Sequence, residues 1–389
     1  MAHNRSRQAR VSSGVFQWAI MAQVDDMLEI LADGDRAGTV DPAPLVHAVV
    51  VNHEGAGLLA PCISHLLESG YPRLRVIVVD NASTDGSDRE AISLFPQITV
   101  VRNEKNLGFA GGANAGLRLA LGQGADFAWV LNTDVFVPPG CLGALIEVMR
   151  TNPLVGACQP ALVLAADPGI VQSAGCGLGL TGRCWDIAAG TCASSLGQVL
   201  TEPPGVTGAA MFLRAAALRE VGLFDERFFM YFEDVELCLR LRRAGYAVAC
   251  QTKALASHVG AATANRLPAW RRILRCERNA LILASRHYPL PWASLALILG
   301  PLSALGAAAL RLALLKPDEA LAYAAGALAG LVLGLGEAAE RLGRGRSRAG
   351  DEALGRLVTR TIFPPRPTAP RAGVAPLKDT NMIFKEKDN

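Results

Sequence analysis

Two short stretches carry side chains able to do chemistry on a substrate. In the first, the apolar run Ala128-Trp129-Val130-Leu131 ends abruptly in Asn132-Thr133-Asp134. Residues i and i+2 of an extended segment point the same way, so both oxygens can face one cation or phosphate. A carboxylate at the carboxyl end of a buried strand also stands where open α/β sheets place their ligands. An isolated Asn-x-Asp is more often an Asx turn, so the rest of the chain has to decide. The second stretch is Glu233-Asp234-Val235-Glu236, which follows Phe228-Phe229-Met230-Tyr231-Phe232 and opens a helical pattern. Acids in a first helical turn are an ordinary capping preference. Beside aromatic rings, however, a carboxyl binds its proton more tightly and suits base catalysis. His258, taken alone, reads as an ordinary satisfied histidine.

The elements that must position these groups follow from the hydrophobic pattern. Strands are expected at 45–51, 75–79, 97–101, 128–131, 206–214 and 247–250, with helices at 58–68, from about 106 to 121, at 215–221 and from 233 onward. Strand, polar turn and helix in repetition indicate an α/β fold with a mainly parallel sheet flanked by helices. The polar residues then collect on one sheet edge. Asp80, ending a continuous apolar strand, is placed to accept from a ribose hydroxyl or a base N–H. Gly108, Gly111 and Gly112 would let backbone N–H groups approach a diphosphate at a helix start. No Gly-x-Gly-x-x-Gly follows the first strand and no Gly-Lys-Ser/Thr occurs, which disfavours Rossmann cofactors and P-loop NTPases. Residues 170–206, rich in Gly, Ala and Cys and without periodicity, read as a loop region over the site. Trp185 within it is a candidate aromatic surface for a sugar ring.

A net charge of +3 gives no reason to expect nucleic acid as a partner. Nine cysteines without a Cys-x-x-Cys pair read as reduced, buried thiols rather than a zinc set or a disulfide framework. The start of the chain has arginines before a short apolar run, but Gln17 interrupts that run and Asp25-Asp26 follow, so secretion is disfavoured. A short amphipathic helix is expected at 23–35.

Four blocks occur in order: Asp80-Asn81-x-Ser83-x-Asp85-Gly86-Ser87; Asn106-Leu107-Gly108-Phe109-Ala110-Gly111-Gly112-x-Asn114; Leu131-Asn132-Thr133-Asp134; and Gly222-x-Phe224-Asp225-Glu226 continuing through Glu233-Asp234-x-Glu236-Leu237. Together they resemble the bacterial family 2 glycosyltransferases of the GT-A fold, in the rhamnosyltransferase and galactofuranosyltransferase-like branch, over residues 45–290. The resemblance implies transfer of a hexose or deoxyhexose from a nucleoside-diphosphate sugar, with inversion. It puts Asp234 in the role of base with Glu233 beside it. Asn132, Asp134 and His258 match the metal site for Mg²⁺ or Mn²⁺. Asn52, Glu54, Asp80, Asn81, Asn106, Gly108, Gly111 and Asn132 are assigned to the donor, and Gly208, Trp185 and Glu236 to the acceptor side. Two departures stand out: Asn132 replaces the first acid of Asp-x-Asp, and Glu54 stands where Asn is commoner. The implied donor is dTDP-rhamnose, and the implied acceptor a cell-envelope glycan or lipid-linked hydroxyl. Two other readings compete. A sugar nucleotidyltransferase would need a glycine-rich, Arg- and Lys-bearing loop near its start. A catalytically silent nucleotide-sugar-binding scaffold is encouraged only by Asn132.

Beyond the catalytic region, Arg271, Arg272, Arg275, Arg278 and Arg286 interleave with Trp270, Ile273, Leu274 and Leu281, a basic amphipathic pattern suited to a membrane surface. Two apolar runs follow, 291–310 and 320–336, near the roughly 17–25 residues that span a bilayer. Flanking arginines place both ends in the cytosol. The expected organisation is an N-terminal extension (1–44), a GT-A catalytic domain (45–265), an amphipathic helix with an apolar hairpin (266–342) and a disordered tail (343–389). Such a protein would sit at the cytoplasmic face of the cell membrane, peripherally or anchored by the hairpin.

Overall fold

The computed structural model describes residues 43–260, 268–344, 351 and 354–362; the helix expected at 23–35 and most of the tail lie outside them. The chain divides into two units, Met1–Ala43 and Pro44–Asn389, and the account below concerns the second.

In chain order, β1 (Val46–Asn52) leads to α1 (Leu59–Leu67), β2 (Leu74–Asp80) to α2 (Ser87–Leu94), and β3 (Thr99–Arg102) to α3 (Gly108–Gly122). Then come β4 (Phe127–Asn132), β5 (Val135–Phe136), α4 (Cys141–Thr151), β6 (Val155–Leu164), β7 (Asp167–Ser173), β8 (Cys176–Leu178), β9 (Cys184–Asp186) and β10 (Leu200–Thr201). The catalytic part closes with β11 (Ala210–Arg214), α5 (Ala215–Val221), α6 (Glu233–Arg243) and β12 (Ala247–His258). Three helices follow: α7 (Ala269–His287), α8 (Leu290–Ala313) and α9 (Pro317–Arg344).

The main sheet runs β10-β12-β6-β11-β4-β1-β2-β3. β1, β2, β3 and β4 are mutually parallel, as are β6 and β12, while β11 lies antiparallel between β4 and β6. This mixed, mostly parallel sheet agrees with the mainly parallel sheet that the pattern predicted and with the GT-A fold that the resemblance implied. The valine-rich runs of β1 and β2 are buried on both faces, as central strands between helical layers must be. One layer packs α1 and α4 around Trp129, whose ring meets Phe212 edge-on at 6.0 Å. The other packs α3, α5 and α6 around Val130 and Met211.

Residues 170–206 depart from the expected loop. They form β7 on the sheet, the β8–β9 hairpin and the edge strand β10. Their Gly, Ala and Cys side chains supply no polar–apolar contrast, and β8 is buried throughout, so no period of two is visible in the sequence.

Described residues on both sides of the expected boundary near 265 share one core. One cluster joins Leu178 of β8, Val235 and Leu239 of α6, Leu283 and Tyr288 of α7, Ala293 of α8, and Leu354 and Val358. The last two correct the expectation of a wholly disordered tail. Leu354 and Val358 bury their side chains, and Thr359 N donates to Leu178 O at 2.9 Å. The helix α9 lies against α7 along Gly326, Gly330 and Gly334; a Cβ on Gly330 would stand 2.9 Å from Arg278 O. Both α8 and α9 are long and apolar enough to cross a membrane, with mean hydropathy 1.9 and 1.5, and Ile298, Leu302, Leu305, Leu328 and Val332 are exposed. The arginines expected to form a basic surface are divided. Arg286 pairs with Asp225, Glu236 and Glu337, while Arg271 and Arg272 remain exposed.

Candidate active site

A cavity of about 420 Å³ opens at the carboxyl ends of β1, β2 and β4. Asn132 and Asp134 reach it from the end of β4, and Asp234 and Glu233 from the start of α6. His258 enters from the end of β12, and Trp185 and Asp186 from β9. The pairing of β5 with β12 sets His258 opposite Val135, which brings together two residues 124 apart in sequence. His258 Nε2 lies 3.1 Å from Asp134 Oδ1, and both side chains are buried.

The other imidazole nitrogen decides what this pair can hold. His258 Nδ1 lies 2.9 Å from Gln172 Oε1, an acceptor that suits a hydrogen on Nδ1. In that tautomer Nε2 turns a lone pair toward a carboxylate oxygen, an arrangement that a divalent cation between the two would satisfy. Asp134 and His258 therefore fit a metal, with Asn132 as a neutral neighbour. Among the described residues no group of three His, Cys, Asp or Glu side chains encloses an ion. The remaining oxygen ligands would have to come from substrate and water, which suits Mg²⁺ or Mn²⁺.

On the opposite wall, Asp234 accepts from Gly208 N and Val235 N, each at 2.8 Å. Gly208 is what allows that approach, because a Cβ there would stand 2.8 Å from the Phe109 ring. Burial raises the proton affinity of Asp234 and nearby Asp186 adds to it, while the two N–H groups pull it back. Glu233 has only its own backbone N–H to offset burial. Burial, and then the charge of Asp234, push its carboxyl well above the usual range, and its Oε2 is buried without a partner. Both carboxyls are raised, Glu233 the more strongly, so a proton held by the pair favours Glu233.

The donor-side residues divide in two. Asn81, Asn106, Gly108 and Asn132 line the cavity. Asn81 donates to Gly108 O at 2.8 Å and so fastens the start of α3 to the end of β2, while Asn106 accepts from Gly108 N within the loop itself. Asn52, Glu54, Asp80 and Gly111 stand behind the lining. Asp80 accepts from Asn52 Nδ2 at 2.8 Å and from Ser83 N, and Glu54 accepts from Thr84, which ties the first two strand-end loops together. Gly111 is small because Leu107 packs on it: a Cβ there would stand 2.6 Å from that of Leu107.

Glu236 corrects the acceptor-side expectation. It is fully buried and faces α7, with Arg240 at 2.9 Å, His287 at 3.1 Å and Arg286 at 3.3 Å. Two residues beyond Asp234, it is turned about 200° around α6, a rotation that a row of acids in sequence does not reveal. Trp185 does line the cavity, its indole lying across Gly177, where a Cβ would be 2.4 Å away. Gln172 and Asp186 were missed by the sequence reading, both lying within the aperiodic segment. Burial raises the Asp186 carboxyl, with Ser173 and His258 acting against that shift.

The sequence profile for glycosyl transferase family group 2 matches residues 129–335, more than half of the chain, and that for glycosyl transferase family 2 matches residues 48–166. The chain is 31% identical over 242 residues to the N-acetylglucosaminyl-diphospho-decaprenol L-rhamnosyltransferase of Mycobacterium tuberculosis, covering 56% of this chain and 78% of that protein. It is 30% identical over 205 residues to galactofuranosyltransferase GlfT1 of the same organism, covering 51% and 65%. Among solved structures, it is similar to a mannosyltransferase from Pyrobaculum calidifontis in complex with GDP-Man and Mn²⁺, at 19% identity and a TM-score of 0.46, over 76% of this chain and 90% of that one. A matched profile across the cavity-bearing half and a relative covered over most of its length lead to one statement: the chain belongs to glycosyltransferase family 2.

Proposed function

We propose that this protein is an inverting glycosyltransferase that moves a sugar from a nucleoside-diphosphate donor to a hydroxyl of a lipid-linked or envelope glycan acceptor. The observation that carries it is the division of the cavity, with a buried carboxyl, Asp234, held by two backbone N–H groups on one wall and the Asp134–His258 pair on the other. The acceptor hydroxyl binds beside Asp234, which takes its proton as the oxygen attacks the anomeric carbon. Gly208 N and Val235 N hold the Asp234 oxygens in place, and neutral Glu233 spares the wall a second charge. Asn81, Asn106 and Asn132 face the donor, and Trp185 offers a flat apolar surface to a sugar ring. A divalent cation bound at Asp134 and His258 would neutralise the departing diphosphate. A single displacement, with no covalent intermediate on the protein, inverts the anomeric configuration.

Rhamnose is the sugar favoured, and a polyprenyl-diphosphate-linked sugar the acceptor, because the M. tuberculosis relative is named for that transfer; dTDP is the carrier that the family resemblance implies. The exposed apolar faces of α8 and α9, with Arg271 and Arg272 at the start of α7, support docking at the cytoplasmic face of the membrane. The division into a catalytic region ending near 265 and a membrane-facing helical region is part of the same reading.

The test is Asp234→Asn, assayed for transfer with dTDP-rhamnose and Mn²⁺. Transfer falls by a factor of about 10³ or more while dTDP binding stays within a few-fold. Transfer near the wild-type rate would move the base elsewhere.

A further inference from the structure

We propose that Asn279, on α7, is a positioning residue for the base: it holds the turn 228–232 in its left-handed course and thereby fixes where Glu233 and Asp234 enter the cavity. The inference rests on Asp234 being the base, and its test separates the two claims.

The turn is conformationally costly. Phe229, Tyr231 and Phe232 all have positive φ, at 63°, 72° and 73°, although none is glycine. Aromatic side chains rarely adopt this region, and several so close together persist only when the surroundings over-determine them. Phe232 is also the residue that caps α6, and Glu236 N donates to its carbonyl at 2.9 Å. Its dihedrals therefore set the direction in which the next two residues, Glu233 and Asp234, leave the turn.

What imposes this course is mainly one amide. Asn279 is fully buried, and its Nδ2 donates to Tyr231 O at 2.8 Å and to Met230 O and Phe228 O, each at 3.2 Å. Two hydrogens thus serve three converging carbonyls. The amide is itself oriented, because Arg278 Nε donates to Asn279 Oδ1 at 2.9 Å and leaves only the nitrogen to face the turn. The Arg278 guanidinium adds bonds to Arg227 O and Phe228 O, at 3.2 and 3.3 Å. The Arg275 guanidinium lies over the Phe229 ring, 4.6 Å from its centroid. On the far side, Phe229 O accepts from Ala110 N, and Gly108 leaves room for that approach, since a Cβ there would be 2.3 Å from the same oxygen. The turn is pinched between the donor loop and α7, with the base at its exit.

The experiment uses the full chain in detergent micelles. Asn279→Ala removes the donors; Asn279→Asp keeps the size and replaces the donors with repelled oxygens. Leu281→Ala, on the same helix but packed toward α8 and α9, serves as a control for helix destabilisation alone. Melting temperature, dTDP affinity with Mn²⁺, kcat and KM are measured for each, alongside Asp234→Asn. The expected result is a fall in kcat of about tenfold to a hundredfold for both Asn279 variants, with dTDP affinity within about twofold of wild type. Asn279→Asp is no better than Asn279→Ala, and Leu281→Ala lowers the melting temperature without that loss of kcat. Asn279 variants with kcat equal to that of Leu281→Ala would overturn the proposal. Should neither Asn279 variant fold, Arg278→Gln decides: a wild-type kcat there overturns it, and a several-fold loss at unchanged dTDP affinity upholds it. Retained transfer in Asp234→Asn would instead refute the assignment of the base.

Discussion

Replacing Glu236 by glutamine isolates the contact between the catalytic region and the helices behind it. Glu236 is fully buried and meets Arg240, Arg286 and His287. Burial pushes its carboxyl up, but the His287 hydrogen bond and the surrounding positive charges outweigh that and bring it down to about 2, from an ordinary 4.5. At about 1.4 kcal/mol for each tenfold change in proton affinity, that corresponds to roughly 3 kcal/mol as an upper figure. Part of the depression is credited to a charged His287. Burial lowers that imidazole to about 4, so it is neutral at pH 7 and only donates a hydrogen bond. Discounting for this leaves about 2 kcal/mol from Arg240 and Arg286 at neutral pH. The sign follows from a depressed acid: the stabilisation is complete above about pH 5 and is lost as pH falls through the folded-state value near 2. Glu236→Gln is therefore expected to melt several degrees below wild type at pH 7 in detergent micelles. Near pH 3 His287 gains charge and pairs with Glu236, so the gap closes only as the carboxyl itself protonates near pH 2. Equal melting temperatures at pH 7 would refute this account of the α6–α7 contact.

Two more expectations concern the cavity. Gln172→Leu removes the acceptor that orients His258; the Mn²⁺ concentration for half-maximal transfer should rise about tenfold to a hundredfold, with the rate largely restored at saturating Mn²⁺. A metal titration of transfer checks this, and an unchanged midpoint would count against the assigned tautomer. Glu233→Gln imitates the protonated side chain, so kcat at pH 7 should stay within about tenfold of wild type; a loss matching that of Asp234→Asn would mean the proton is on the other carboxyl.

The parallel half of the fold was legible because β1, β2 and β4 are continuous apolar runs ending in polar turns, and Asp134, Asp234 and His258 stand at or beside element ends. Gln172 and Asp186 were not, because β7 opens on Asp-Pro-Gly and β9 has only three residues, too little for a period of two to show. Glu236 was misjudged for a different reason. Three acids in four residues look alike in sequence, but a helix turns each about 100°, so Glu233 and Asp234 reach the cavity while Glu236 faces α7. The glycines before and within α3 were noticed, but part of their use is steric: Gly108 admits Phe229, and Gly112 admits Asn81 and Val51. Asn279 lay inside a pattern that read as a membrane-surface helix, and nothing in its spacing distinguished the residue that faces the protein.

The glycine stripe of α9 against α7 has a practical consequence for anyone purifying this protein. Ending the chain at Pro289 would look like a way to obtain a soluble enzyme. It would also strip α7 of the cover that Gly326, Gly330 and Gly334 allow to lie against its backbone, and remove Glu337 from Arg286. The shortened protein would lose the brace behind its own catalytic turn, so detergent or nanodisc preparations of the whole chain are the form in which activity should be sought.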